Sequence, residues 1–337
     1  MKITKSGFLI SPGDLNNFVA CKFTIKNEIK FHNKEISKSE EKVNDKLWKK
    51  MGIEHEKKYF QILKNKYKKS ISIKSDLDEK NKFDETIRAM EKGYELIYHA
   101  YLVDGELRGE ADFLIKCSTP SKFGDYSYEV YDTKITRNLR PRHLTQITAY
   151  SDMVGKIQKV LPDKMYLIDG SDEEHSFKTI EYIDLFNHGK KEFLKFLSNV
   201  NKEKIYPEKC SYCNLCDWRD VCDKIWEDDN YINLVAGSNK SQIEKLKKKK
   251  VKTVEQLSKT KLLATDLKIN TESFERIKSQ AQLQEEKRKT GKDKIIFLDP
   301  EFGKGFYKLP KPDDGDVFFD IEGFPRMNRP FEYLHGL

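Results

Sequence analysis

Glu129-Val130-Tyr131-Asp132-Thr133-Lys134 is the stretch on which the fold turns. Its composition reads as a strand, Tyr126 to Ile135, and strand alternation puts Val130, Asp132 and Lys134 on one face. A carboxylate and an ammonium then stand side by side, an unusual pair to bury. Upstream, the period of two runs from Glu95 to Val103 and from Glu106 to Lys116, flanking Asp104-Gly105, a turn pair typical of a tight hairpin. A meander of these three strands brings Asp112, in Gly109-Glu110-Ala111-Asp112, beside Asp132. Before them, a helix near Lys46 to Tyr67 carries Met51, Tyr59, Phe60, Leu63 and Tyr67 at helical spacing, with His55 on the same stripe and so pointing inward. After them come a helix from Pro141 to Val154, strands at Met165 to Ile168 and Phe177 to Ile183, and a helix from Leu185 to about Val200. This order predicts an α/β layer around one mixed sheet.

Two carboxylates with an inward histidine make a nitrogen and oxygen site for a hard or borderline divalent ion such as Mg²⁺ or Mn²⁺. The chemistry such a site serves is phosphodiester hydrolysis, with Asp112 and Asp132 as ligands and His55 as an additional one. Lys134 would orient the attacking water and offset charge on the phosphate. Gln146 and Tyr150, four apart on the next helix, would orient Lys134 or grip the DNA backbone.

Composition agrees with a folded, polar protein. Of the 337 residues 35% are charged, with a net charge of +8, and 12% are aromatic, too many for disorder along the whole length. No window reaches the 18 or so apolar residues of a membrane span, and the start lacks the apolar run of a signal peptide. Cytoplasmic placement and no membrane partner are the expectations.

The series Gly52-x-x-His55, Gly109-x-x-Asp112, Glu129 to Lys134 and Gln146-x-x-x-Tyr150 resembles the RecB-type branch of the PD-(D/E)xK nucleases, over residues 1 to about 225. Within it, Ser127 to Lys134 is similar to a bacterial and archaeal group of RecB-family nucleases. The resemblance implies a restriction-endonuclease-like core, His55, Asp112 and Asp132 as metal ligands, and Lys134 as the catalytic lysine. It also implies a DNA exonuclease of repair, recombination or foreign-DNA processing, acting on single strands or duplex ends. Asp132 stands where many members of the wider superfamily have Glu. A helicase or second nuclease as partner stays open.

Of six cysteines, Cys210, Cys213, Cys216 and Cys222 fall within thirteen residues, which in a reducing compartment reads as metal or cluster ligation. Cys213-x2-Cys216-x5-Cys222 supplies three thiolates, and Cys21, on a first helix expected from Leu15 to Ile29 after an Asp14 cap, is the candidate fourth. That arrangement is similar to the iron-sulfur staple of the AddB and CRISPR-associated RecB-like nucleases, which implies a [4Fe-4S] cluster. A Zn²⁺ site of four cysteines and a local site using Cys210 are the alternatives. Cys117 reads as an ordinary thiol.

Three parts are expected: a nuclease domain over 1–225, a basic helical region resembling a helix-hairpin-helix element over 226–295, and a linker with the start of an RNase H-like domain over 296–337. In the last, Asp320 and Glu322 share a strand face, and the few residues that follow suggest a fragment without catalysis of its own. A rival for the whole is a nuclease-like DNA-binding adaptor without activity, in which the basic segment Lys240 to Lys261 binds and the cluster is structural. The intact set Asp112, Asp132 and Lys134 argues against it.

Overall fold

A computed structural model describes residues 1–4, 7–40, 43–324 and 331–336. Two units form, Met1–Asp228 and Asp229–Leu337. The first opens with a short hairpin of β1 (Lys2–Thr4) and β2 (Gly7–Leu9), followed by α1 (Pro12–Ala20) and α2 (Lys22–His32). Where one helix was expected there are two, because Cys21 adopts extended backbone at φ −162° and ψ 110°. The cap also lies earlier than expected: Ser11 caps α1, and Asp14, three residues on, answers it by accepting from the Ser11 amide at 2.8 Å.

Next come α3 (Val43–Lys66), β3 (Ser70–Ser72), α4 (Glu79–Glu91), β4 (Leu96–Asp104), β5 (Leu107–Cys117) and β6 (Ser127–Thr133). Then follow α5 (Pro141–Gln158), β7 (Lys164–Ile168), β8 (Glu174–Lys178), α6 (Ile183–Asn199) and α7 (Arg219–Asp228). The strands form one mixed sheet in the order β3-β4-β5-β6-β7-β8, parallel at β3/β4 and β6/β7 and antiparallel elsewhere. The expected α/β class with a mixed sheet between helices is therefore the observed one.

Two apolar layers hold it. On one face Ile97, Ala100, Leu102, Leu114 and Val130 pack with Ile147 and Met153 of α5 and Phe193 of α6. On the other, Leu96, Tyr98, Phe113 and Ile115 pack with Tyr59 and Leu63 of α3. The β4/β5 turn falls one residue later than the Asp104-Gly105 reading, since Asp104 pairs with Leu107. Gly105 supplies the positive φ, +59°, at the first central position, which a hairpin matched to strand twist requires.

The second unit is helical at first: α8 (Lys240–Lys248), α9 (Val254–Ser258), α10 (Ala264–Leu267) and α11 (Thr271–Thr290). They bury Leu246, Val254, Leu257, Leu267, Phe274 and Ile277, while Lys248, Lys249 and Lys250 stay exposed. Beyond them β9 (Asp320–Phe324), which carries Asp320 and Glu322, pairs antiparallel with β10 (Phe331–Gly336). No described helix is long and apolar enough to cross a membrane.

Candidate active site

The sheet's own ladder is interrupted where the chemistry-bearing residues lie. β4 and β5 pair at Tyr98 with Phe113 and at Ala100 with Ala111, but not at His99 and Asp112 between them. The β5/β6 ladder ends at Phe113 with Tyr131, one position short of Asp112 and Asp132. His99, Asp112 and Asp132 thus form a row across three strands at which backbone pairing stops.

His99 is the backbone cause. Its φ of +56° is left-handed, a conformation costing a non-glycine residue about 1 kcal/mol or more. Before it, Leu96 and Tyr98 face α3 and Ile97 faces α5; after it, Ala100 and Leu102 join the α5 layer. The alternation inverts, so Tyr98 and His99 point to the same side, their rings 3.8 Å apart. Both bond Glu56 of α3, and His99 Nε2 lies 2.6 Å from its Oε1.

Asp112 recovers the lost ladder bond with its side chain: Oδ2 accepts from the Thr133 amide at 2.7 Å and from its hydroxyl at 2.8 Å. Asp132 is fully buried, accepts from Lys134 Nζ, and meets Gln146 Nε2 of α5 at 3.4 Å. Lys134 follows β6 directly, its amide donating to the Ile168 carbonyl at 2.7 Å. Tyr150, one turn beyond Gln146, lies on β5 at Gly109, where an added Cβ would come within 2.8 Å of its ring. The glycine of Gly109-x-x-Asp112 is what admits that ring.

Burial, the Asp132 charge beside it and Glu56 push Asp112 up to about 7, against the pull of Lys134. Asp132 is raised too, chiefly by burial, although Lys134 opposes this. Burial alone would lower Lys134, but Asp132 and Asp112 outweigh it and hold the ammonium charged. Burial likewise works against the charged forms of Glu56 and His99. Their mutual bond wins, lowering the carboxylic acid and raising the imidazole. His143, at the start of α5, is depressed to about 4 by burial and by Lys134. Three carboxylates therefore interact with one ammonium and one imidazole, and burial together with the surplus negative charge acts most on Asp112.

The structure brings Asp112, Asp132, Lys134, Gln146 and Tyr150 together. His55 lies apart from them: its Nε2 stands 3.2 Å from Asp172 Oδ1, and no hydrogen bond or ion pair joins it to Asp112 or Asp132 among the described residues. The approach to Asp172 lacks hydrogen-bond alignment, so both ring nitrogens are buried and unsatisfied. Sequence reasoning missed Glu56 and His99. The dipeptide His55-Glu56 was the available signal for the first; the second needed the true hairpin register.

Two further clusters arise. Asp169, Glu173 and His175 hold ligand atoms within 4.8 Å of one another. Asp169 is already occupied, accepting from the Ser171 and Glu173 amides and meeting His175 at 3.0 Å, so the trio braces the β7/β8 turn. Elsewhere Cys21, Cys210, Cys213, Cys216 and Cys222 line one small cavity with Trp218 and Trp226. Cys210 and Cys213 sulfurs are 3.8 Å apart, and Thr24 Oγ1 is 3.7 Å from Cys216 Sγ. Among the described residues no three of these sulfurs lie within 4.8 Å of one another. Burial and the neighbouring sulfurs push Cys222 up to about 12. Burial raises Cys210 to about 11, so without a ligand both stay thiols.

A family model described as the PD-(D/E)XK nuclease superfamily matches residues 29–223, a span holding the whole row and Cys210 to Cys222. No curated protein matches the chain.

Proposed function

The chain belongs to the PD-(D/E)XK nuclease superfamily, and from that premise we propose that it is a metal-dependent deoxyribonuclease of the RecB-like branch, cutting DNA from ends. Nucleases of this superfamily use divalent metals. The residues here suit a hard cation: burial first, then the Asp132 and Glu56 charges, hold Asp112 raised against the pull of Lys134, so a divalent ion would find carboxylate oxygens short of positive charge. Asp112 and Asp132 would hold Mg²⁺ or Mn²⁺, while His55, expected as a further ligand, stands at Asp172 and not with them. When bound, the ion supplies a Lewis acid that polarises the scissile phosphate and acidifies water.

The chain's own groups supply the rest. Lys134, held charged by Asp132, orients the attacking water and meets charge growing on the phosphate. Gln146 fixes the Asp132 carboxylate and so the lysine. Tyr150 packs its ring over Gly109 of β5, on the α5 side of the row. The observation that carries the reading is the pair of half-buried Asp112 and buried Asp132 at a break in the ladder, with Lys134 bonded to Asp132.

A [4Fe-4S] cluster on Cys21, Cys213, Cys216 and Cys222 completes the proposal. A single Zn²⁺ with Zn–S bonds near 2.3 Å needs its sulfurs about 3.8 Å apart. Cys210 and Cys213 alone meet that spacing at 3.8 Å, and because no three of the sulfurs lie within 4.8 Å of one another among the described residues, the arrangement supports a larger group. The test of the nuclease is incubation with end-labelled single- and double-stranded DNA, with and without Mn²⁺. Metal-dependent release of short labelled products is expected from the wild type and not from Asp132→Asn; absence of cleavage on either substrate would overturn the reading.

A further inference from the structure

We propose that the groove between α3 and the segment after β3 binds single-stranded polynucleotide and leads it to the carboxylate row. The inference rests on the nuclease reading of that row and adds the form of substrate it receives. The groove is open, with a volume of about 800 Å³, and is walled by Lys57 and Lys58 on one side and Lys74 on the other. That size suits a short run of nucleotides and not a duplex.

Its chemistry has the two halves that single strands need. Lys57 and Lys74 are exposed, and neither has a hydrogen-bond or ion-pair partner among the described residues, whereas Lys58 is taken by Asp172. Asp76 is the one opposing carboxylate in the lining. The floor is aromatic: Phe60, half-buried, stacks on Tyr98 with centroids 4.1 Å apart and planes 14° off parallel. Unpaired bases offer their faces to such a floor, while duplex bases are stacked on one another. Ammonium groups above an aromatic base follow the backbone of a strand without reading its sequence.

The groove also has a destination. His99 lines it and holds Glu56 at 2.6 Å, and Glu56 lies in the field of Asp112, Asp132 and Lys134. His99, with its left-handed backbone at the break in the ladder opposite Asp112, therefore stands between the groove and the row.

The test is fluorescence anisotropy with labelled dT12 in EDTA, which prevents cleavage. Lys57→Glu/Lys74→Glu should weaken binding about tenfold or more and make the salt dependence shallower by about 1.4, two phosphate contacts on a single strand. Lys191→Glu/Lys195→Glu, an equal charge change on the exposed face of α6, should weaken it far less. Unlabelled dT12 or rU12 should displace the probe and a duplex of equal length should not; the stronger competitor identifies the sugar. Unchanged affinity in the groove variant, equal loss in the α6 variant, or equal displacement by duplex would overturn the groove. A wild type that binds dT12 yet cleaves nothing with Mn²⁺ would instead end the nuclease reading and leave the groove standing.

Discussion

The carboxylate row and the cysteine cavity both gather residues distant in sequence, but by different means. The row is positioned by strand register: Phe113 with Tyr131 and Ala100 with Ala111 place Asp112, Asp132 and His99 before any ligand arrives. The cavity draws on the α1/α2 junction and on a stretch around Cys213 held by single 3₁₀ turns. Burial raises the Cys210, Cys216 and Cys222 thiols, and among the described residues no three of the cavity's sulfurs lie within 4.8 Å of one another. A site built by backbone ladders is rigid without its ligand, whereas one built by loop closure needs its ligand to be a site. Loss of a residue should therefore cost chemistry in the first and folding in the second.

The largest effect expected is on the row. Lys134→Ala should slow cleavage about 10³-fold, the scale of removing one preorganised donor to developing charge. Binding of DNA in EDTA should stay nearly intact. A variant that cleaves at the wild-type rate would remove Lys134 from the chemistry.

At the cavity the pattern should reverse. Cys21→Ala should lose iron and sulfide from anaerobically purified protein and destabilise the first unit by about 5 kcal/mol, because a link from residue 21 to residue 213 closes a long loop in the unfolded chain. Cys210→Ala should keep the iron. Bleaching by Cys210→Ala with retention in Cys21→Ala would reassign the fourth ligand. Stoichiometric zinc without iron would replace the cluster.

How much of this was legible follows the same division. Alternation in Glu129 to Lys134 was enough for Asp132 and Lys134, because β6 keeps regular register with β7 through Asp132 and Thr133. His99 was hidden twice over: a hairpin centred on Asp104-Gly105 would pair Ile97 with Asp112, and the inverted alternation at 99 breaks the period that strand reading relies on. α4 passed unnoticed since its buried residues, Thr86, Ala89 and Met90, make only a short stripe. Cys21 was legible as a ligand candidate but not as the break between two helices, a backbone state that no apolar pattern encodes.

Proton linkage offers a sharper probe of the row's preformed charge. In metal-free protein Asp112 sits at about 7 against 3.8 for its unperturbed value, so the folded state holds a proton between these pH values that the unfolded state has released. Stability contributed this way is full below pH 4 and is lost as pH rises through 7. Mn²⁺ must displace the same proton, so its affinity should rise about tenfold per pH unit up to 7 and level off above. Calorimetric titration across pH 5.5 to 8 checks this, and Asp112→Asn should remove the slope along with much of the affinity. A flat profile in the wild type would mean that Asp112 is ionised throughout.

The smallest effect expected is steric, and it asks how rigid the ladder-built site is. Gly109→Ala would set a Cβ 2.8 Å from the Tyr150 ring and 3.3 Å from Pro12 Cδ, so the ring must move. Overpacking of this kind costs about 1–3 kcal/mol. Tyr150 lies four residues after Gln146 on α5, so a tilt of the ring can pass to the Gln146 contact with Asp132 without touching the strands. A small loss of melting temperature should accompany a fall in cleavage of about tenfold or less, and Gly109→Ala/Tyr150→Phe should behave like Gly109→Ala, since both keep the ring that collides. Gly109→Ala/Tyr150→Leu, which removes the ring, should regain the stability. If the double variant with leucine stays as unstable as Gly109→Ala, the clash is with Pro12 and α1, and the site is less insulated from the helical layer than its strand register implies.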